Sequence, residues 1–434
     1  MFRFAYPLAF LKWGLTPPHF VRDWHVGVRI IKSRRLVACI TGVPATLNLY
    51  GRAIRICEIN YLCVDKRLRS NRLAPVLIKE VTRRVNLCGV WQAAYTAGVV
   101  LPTPVASCRY WHRPIDPKKL IEIRFSRLPA NMTMARVQQH NKLPPLTRTT
   151  NIRALTEKDV PSATLALNAY LAKFAMHPAM NEDELQHWLL PRKDVIDTFV
   201  VDVRMTRAAA RAHTARLVAE ISGRRAAWMA DSAGATGGGG GTSENTAVSG
   251  LGSSAAVEGV AASGAGGAGA VALRALDDAY FSALAEKIVG AGADDDEIEV
   301  VTDLISFYHL PSSVIGHSRH THLYAGYLYY YVTDTVPFAQ LVEDALILAR
   351  NVGIDVFNCL DLMQNQDVIQ LHKFQQGDGN LCGIERCGLP APRLFSYPPP
   401  NPHPSLLPLA RRQYYVFNWR CPQMTGKDVG LVLH

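Results

Sequence analysis

Hydrophobic positions along the first quarter of the chain come in short period-two runs, separated by turn residues. "HVGVRIIKS", "LVACITGVPATLNLY" and "IRICEINYLCV" predict three successive strands. In the third, Glu58 and Asn60 alternate with Ile59 and Tyr61 before the chain turns basic at Lys66, Arg67, Arg69 and Arg72. From Ala74 to Leu87 the period changes. Val76, Leu77, Val81 and Val85 recur at helical spacing, with Lys79, Arg83 and Arg84 elsewhere around the helix. "GVWQAAYTAGVV" returns to a strand, interrupted by small residues. Further on, Thr156 with Asp159 three positions later marks a capped helix start that runs through "SATLALNAYLAKF", and "VIDTFVVDV" reads as another strand.

Two stretches break this patterning. Ser232 to Val271 is almost wholly Gly, Ala, Ser and Val, which bury too little surface to offset their ordering entropy, so a disordered linker is expected. Cys382 to Gln413, centred on "SYPPPNPHPS", is too rich in proline for a helix or a central strand and reads as an insert between patterned segments.

Composition narrows the function classes. The 434 residues suffice for two or more core-forming units, and an apolar share of 48% is ordinary for a globular chain. A formal charge of +11 points to an anionic partner. Nucleic acid is disfavoured, because the basic residues are not interleaved with aromatics and no RNA- or DNA-binding motif occurs. The 9 cysteines show no C-x-x-C spacing and sit mostly in apolar runs, which suggests reduced, buried thiols in a cytoplasmic protein. No stretch approaches the roughly 20 apolar residues of a membrane span. The opening "MFRFAYPLAFLKWGL" is interrupted by Lys12 and lacks a small-residue cleavage site, unlike a signal peptide.

The basic turn is the first candidate for chemistry. Arg69-Ser70-Asn71-Arg72-Leu73-Ala74 lies where the strand Ile54 to Val64 hands over to a helix. Free N–H groups at a helix N-terminus, its dipole and arginine charge together suit bound phosphates. The spacing is similar to the R/Q-x-x-x-x-G/A turn with which acetyl-CoA-type acyltransferases grip pyrophosphate. A solvated basic first turn fits the same residues.

The surrounding text carries a more specific likeness. "EINYLCVDKRLRSNRLAPVLIKEVTRRV", "QAAYTAGVVLPTPVASCRYWHRPIDPKKLIEIRFS", "SFYHLPSS", "HKFQQGDGNL" and the closing "NWRCP" and "VGLVLH" together resemble the N-myristoyltransferase (glycylpeptide N-tetradecanoyltransferase) family. The resemblance runs from Met1 to Val201 and from Glu299 to the end. Tyr61 replaces the usual Phe, Asp65 the usual His, and Gln375 the usual Gly before the Gly377-Asp378-Gly379 turn.

The resemblance implies an α/β fold of two acetyltransferase-like halves related by a pseudo-twofold axis. Residues 1–150 would hold myristoyl-CoA and 151–434 most of a peptide. The implied reaction is direct attack of an N-terminal glycine amine on the thioester of myristoyl-CoA, a co-substrate, with no resident cofactor and no metal. The implied setting is a cytoplasmic monomer acting on proteins that begin with glycine. The backbone amides of Tyr61 and Leu62 would stabilise the oxyanion, and Asn60 and Thr96 would orient the amine. Leu62, Cys63, Val64, Arg69, Ser70, Asn71, Arg72, Leu73 and Ala74 would contact CoA, with Asp65 adding negative charge at that rim. Phe2, Phe4, Tyr110, His112, Phe125, Tyr308, Tyr327, Asn358 and Asp378 would line the peptide groove.

Three further expectations come with it. The C-terminal carboxylate on His434 would be the base, since an α-carboxylate is ionised at neutral pH while an α-ammonium has a pKa of about 7.7–8.0. The apolar run Val429 to Leu433 would carry that terminus inward. The family also has acyl-CoA-clamping residues upstream of a start like Met1, so weak acyl-CoA binding is expected of this chain. Another acyltransferase of the same superfamily and an inactive binder of glycine-starting peptides remain the alternatives.

Overall fold

The structure is a computed structural model and describes residues 2–98, 101–234, 276–376, 411–419 and 421–433. In chain order, β1 (Phe2–Phe4) and α1 (Leu8–Leu15) lead to β2 (Val26–Arg29), β3 (Leu36–Leu49) and β4 (Arg52–Val64). A 3₁₀ turn, Lys66–Asn71, then enters α2 (Leu73–Leu87), followed by β5 (Gln92–Ala97) and β6 (Ala106–Pro114). Two short helices, α3 (Pro117–Glu122) and α4 (Met134–Asn141), precede β7 (Ile152–Ala154), α5 (Val160–Leu171), β8 (Met176–Ala179) and α6 (Glu182–Leu189). The chain continues through β9 (Ile196–Thr206), α7 (Arg207–Gly234), α8 (Asp278–Val289), β10 (Glu297–His309), β11 (Ser312–Val314) and β12 (His322–Leu323). It closes with β13 (Ala325–Val332), α9 (Phe338–Asn351), β14 (Val356–Leu360), α10 (Gln366–Ile369), β15 (Gln375–Gln376) and β16 (Arg411–Phe417).

Most strands join one long sheet, in the order β2-β3-β4-β5-β16-β6-β14-β13-β10-β9-β7. The order contains a repeat. In β2-β3-β4-β5-β16 and again in β9-β10-β13-β14-β6, three antiparallel strands meet a parallel strand reached through a helix, α2 or α9. An antiparallel strand follows in each case, and these closing strands are exchanged. C-terminal β16 completes the first run, and β6 of the first half completes the second.

Local chemistry explains the main elements. The β3–β4 hairpin turns on Tyr50 (φ 48°) and Gly51 (φ 77°), the left-handed pair that a two-residue hairpin loop needs. Gly51 is also forced by packing, because a Cβ there would strike the Arg225 carbonyl of α7. The Thr156–Asp159 capping box is present and precedes α5, which is buried almost all round. In α2, Leu77, Val81 and Val85 point inward, but Val76 is exposed, so the expected apolar stripe is one residue narrower.

Other expectations also shift. The helices α7 and α8 went unrecognised. Ala210, Thr214, Leu217 and Ile221 of α7 form a buried stripe at helical spacing, and Arg225 ties the pair by donating to Asp278 and to the Leu276 carbonyl. α7 extends to Gly234, so the backbone of 232–234, expected as the start of the linker, is helical. The rest of that stretch lies outside the described residues. Arg411 to Gln413, read as the end of the proline-rich insert, are ladder residues of β16 paired to Arg109, Cys108 and Ser107. Residues 382–410 lie outside the described residues. Of the seven cysteines described, only Cys57, Cys108 and Cys359 are buried, while Cys63 is exposed. Among the described residues no helix is long and apolar enough to cross a membrane, and no cluster of His, Cys, Asp and Glu could hold a metal ion.

Candidate active site

Parallel pairing between β4 and β5 stops at Glu58 with Ala94. Beyond it β4 runs on to Val64 and stays with β3, whereas β5 turns to β16, where Thr96 pairs with Tyr414. Asn60 and Thr96 each stand two residues past the last pair, at the mouth of the splay. Opposite β3, the register skips between Cys39–Cys63 and Thr41–Asn60, so Tyr61 and Leu62 together face Ile40 in a β-bulge. Tyr61 carries the strain of the bulge at φ 41°. A bulge takes backbone groups out of the ladder and re-aims them, and the two expected oxyanion donors, the amides of Tyr61 and Leu62, lie at this one.

Two polar residues in the second half of β4 face inward. Glu58 and Asn60 are buried, and Asn60 Nδ2 donates to Glu58 Oε1 at 3.2 Å. Thr41 Oγ1 donates to the Asn60 carbonyl at 3.1 Å. Burial pushes the Glu58 carboxyl up to about 7, against the opposing hydrogen bond from Asn60. Sequence reasoning did not single out Glu58, although a carboxylate inside an apolar strand was the available signal. Glu58 also lines a narrow cavity with Tyr329, Tyr330, Leu431 and Val432. The closing segment is thus drawn into the interior. Val429, Leu431, Val432 and Leu433 are buried, the Val432 N–H donates to the Tyr330 hydroxyl at 3.3 Å, and Arg412 Nη1 donates to the Leu433 carbonyl at 2.7 Å. His434 lies outside the described residues.

Past the bulge, Asp65 caps the 3₁₀ turn by accepting from the Arg67 N–H at 3.0 Å and pairs with Arg35 at 2.8 Å. The negative charge expected of it at that rim is therefore paired with Arg35. Lys66, Arg67, Arg69, Ser70, Asn71 and Arg72 are exposed. Arg72 is left-handed (φ 54°) and no side chain caps α2, so the N–H groups of Leu73 and Ala74 begin a fifteen-residue helix without an internal partner. Leu62 is 43% exposed at the same edge, beside Cys63 and Val64.

Four of the nine expected groove residues fall on one row. Tyr308 of β10, Tyr327 of β13, Asn358 of β14 and His112 of β6 are successive Cα partners across four strands. Tyr308 stacks on Tyr327 with centroids 5.0 Å apart, and His112 Nδ1 donates to Asn358 Oδ1 at 2.5 Å. Phe125 sits between Phe2, 5.8 Å away, and His112, 5.7 Å away, while Phe2 and Phe4 are held by pairing of β1 with β11. Tyr110 meets Tyr327 at 6.0 Å on one side and the Arg412 guanidinium at 5.5 Å on the other. Arg412 was missed because its stretch read as insert. Asn358 Nδ2 is buried without a hydrogen-bond partner. Asp378 lies outside the described residues. A chain of rings, Tyr61–Tyr6–Phe10–Tyr308, each step 5.3–6.0 Å, links the bulge to the row.

A mixed α/β sheet with two helix-bridged parallel strand pairs, one splayed beside a basic helix N-terminus, is the class of architecture that these observations define. The chain belongs to the family described as Myristoyl-CoA:protein N-myristoyltransferase. The model of its N-terminal domain matches residues 1–108, and that of its C-terminal domain matches 122–209 and 280–382. Glycylpeptide N-tetradecanoyltransferase of Drosophila melanogaster is 38% identical over 433 residues, 100% of this chain and 66% of the relative. Glycylpeptide N-tetradecanoyltransferase 2 of Danio rerio is 37% identical over 433 residues, 100% of this chain and 63% of the relative. The chain thus spans slightly less than two thirds of these relatives' length. A crystal structure of Saccharomyces cerevisiae N-myristoyltransferase with bound myristoyl-CoA superposes with a TM-score of 0.68 at 28% identity, covering 100% of this chain and 78% of that one.

Proposed function

We propose that this chain transfers a myristoyl group from myristoyl-CoA to the N-terminal glycine amine of protein substrates. The observation that carries this reading is the splay of β4 from β5, with the Tyr61–Leu62 bulge on one side and the uncapped, basic start of α2 on the other. The pyrophosphate of CoA takes the N–H groups of Leu73 and Ala74 and the charge of Arg69 and Arg72, with Ser70 and Asn71 in the same turn. Leu62, Cys63 and Val64 flank the pantetheine. The amine nitrogen attacks the thioester carbon, the carbonyl oxygen takes negative charge, and collapse of the tetrahedral intermediate breaks the C–S bond, CoA leaving as the thiol with the proton that the nitrogen gives up.

The amides of Tyr61 and Leu62 stabilise that oxygen, which is why the Tyr61 side chain is free to vary. Asn60 and Thr96, level with each other at the mouth of the splay, orient the amine. The substrate peptide lies along the row from Tyr308 to His112, between Phe2, Phe4 and Phe125. Residues 1–150 serve mainly the acyl-CoA and 151–434 mainly the peptide, apart from the exchanged strands β6 and β16. The cytoplasm is the compartment this reaction requires, because acyl-CoA and new protein N-termini meet there. The test is mass spectrometry of a glycine-starting peptide incubated with the chain and myristoyl-CoA. Gain of one myristoyl group on the N-terminal amine is expected. Thioester consumption with no acylated peptide would overturn the substrate assignment, and an unchanged mixture would overturn transfer itself.

A further inference from the structure

Two cysteines whose thiols take no chemical part in the proposed transfer meet just past the bulge. Cys39 of β3 and Cys63 of β4 are directly opposed in the antiparallel ladder. Such residues have Cα atoms about 4.5–5.5 Å apart, within the roughly 4.4–6.8 Å that a disulfide spans. Both thiols are free, with Cys63 exposed and Cys39 half-buried.

Cys39 Sγ donates to the Tyr61 carbonyl at 3.8 Å. Across the ladder the two thiols shift in opposite senses: the neighbouring Cys39 and the Arg69 charge hold the Cys63 thiol down against burial, while the neighbouring Cys63 and burial push Cys39 up. An exposed low-pKa thiol beside a second cysteine is the arrangement that reacts with oxidants and then resolves to a disulfide. The buried Cys57, Cys108 and Cys359 lie at the opposite extreme, with thiols pushed up mainly by burial.

We propose that Cys39 and Cys63 form a peroxide-sensitive pair that closes to a cross-strand disulfide and thereby lowers acyl-CoA binding at the adjoining turn. The Cys63 thiolate attacks one peroxide oxygen. An S–O bond forms, the O–O bond breaks, and hydroxide leaves as water after taking a proton. Cys63 becomes a sulfenic acid, oxidised by two electrons as the peroxide is reduced. The Cys39 sulfur then attacks the Cys63 sulfur. The S–S bond forms, the S–O bond breaks, and the departing hydroxide carries off the Cys39 proton as a second water.

The bond would pin β3 to β4 just past Leu62 and remove the thiolate next to Val64, whose carbonyl accepts from Arg69 Nε at 3.4 Å. The binding consequence rests on the acyl-CoA reading above, whereas formation of the disulfide does not.

The test treats the full chain with hydrogen peroxide, alkylates remaining thiols and searches proteolytic fragments by mass spectrometry. In parallel, a non-hydrolysable myristoyl-CoA analogue is titrated calorimetrically before oxidation, after it and after dithiothreitol. A Cys39–Cys63 linked fragment is expected, with affinity reduced about tenfold or more, equivalent to about 1.4 kcal/mol or more, and restored by the reductant. Cys39→Ala, which leaves Cys63 without a resolving partner, should give no linked fragment and no loss of affinity on oxidation that dithiothreitol restores. Cys63 oxidised alone in the parent chain would overturn the pair. A linked fragment with unchanged affinity would overturn the regulatory consequence. A linked fragment in a chain that never binds the analogue would uphold the pair and strike the acyl-CoA reading instead.

Discussion

The units β4–α2–β5 and β13–α9–β14 share one topology, a strand, a helix and a parallel strand, and the chain uses them in opposite ways. Every residue of β13 is buried, and α9 sends Leu341, Val342, Ala345, Leu346 and Ala349 into the main core. α2 buries only Leu77, Val81 and Val85, in a small cluster of its own with Trp24, Val26, Ala38, Ile40, Cys57 and Val90, and leaves Val76, Ile78 and Leu87 exposed. The first unit ends in a bulge with Leu62 and Cys63 open to solvent, whereas the second carries a stacked aromatic row. Sealing one copy gives a rigid floor for a long ligand. Leaving the other one-sided gives a gap whose strand ends can host a reaction.

The largest expected effect tests that division. Phe357→Ala should cost about 3–5 kcal/mol in cooperative unfolding, because β14 lies inside the main core. Leu77→Ala should instead raise hydrogen exchange mainly across α2 and β2–β3, leaving β13 and β14 protected. Equal loss of protection in both units would show that they do not differ as described.

Next in size is chemistry at the mouth of the splay. Asn60→Ala should lower myristoyl transfer about 10²-fold in kcat through misplacement of the amine, with a folded chain by circular dichroism. A normal kcat would remove Asn60 from the reaction.

Glu58→Gln sharpens the comparison through pH. The Glu58 carboxyl sits at about 7 when folded, above its ordinary range, so the folded state holds the proton more tightly than the unfolded one. Stability therefore falls as pH rises from about 4.3 to about 7, and the penalty is fully present above that. The variant should be more stable than the parent by about 1–3 kcal/mol at pH 8 and indistinguishable near pH 4, by denaturant titration. A pH-independent difference would contradict a buried ionising Glu58.

The smallest effect belongs to the row. Asn358→Leu should weaken binding of a glycine-starting peptide about tenfold by calorimetry while sparing acyl-CoA, since the unpartnered Nδ2 is a donor awaiting a carbonyl. Unchanged peptide affinity would place the peptide elsewhere.

Much of this was legible in sequence where a short-range signal existed. The period-two runs gave β3 and β4, the Thr156–Asp159 box gave the start before α5, and the family resemblance named Tyr308, Tyr327, Asn358 and His112 before any register was known, with only Tyr308 and His112 inside its quoted strings. What stayed hidden was non-local. The swap of β6 and β16 between runs leaves no mark in either segment. Arg412 sat in text whose proline content argued for an insert, and only its pairing with Cys108 shows it to be ladder. Glu58 and Asn60 alternate with apolar residues just as a solvated face would. Glu58 faces a cavity walled by Tyr329 and Tyr330, some 270 residues away by numbering. The partner of Asp65, Arg35, lies across a hairpin that composition cannot register.

The most direct test of the division between the two units is residue-resolved hydrogen exchange with ligands added in sequence. A non-hydrolysable myristoyl-CoA analogue should slow exchange at the amides of Tyr61, Leu62, Leu73 and Ala74 and leave β6 and β14 unchanged. A glycine-starting peptide added afterwards should extend protection to the edge residues around His112 and Phe125. Protection by the acyl-CoA analogue confined to the second unit, with 60–74 exchanging as before, would contradict the assignment of the reaction gap to β4 and β5.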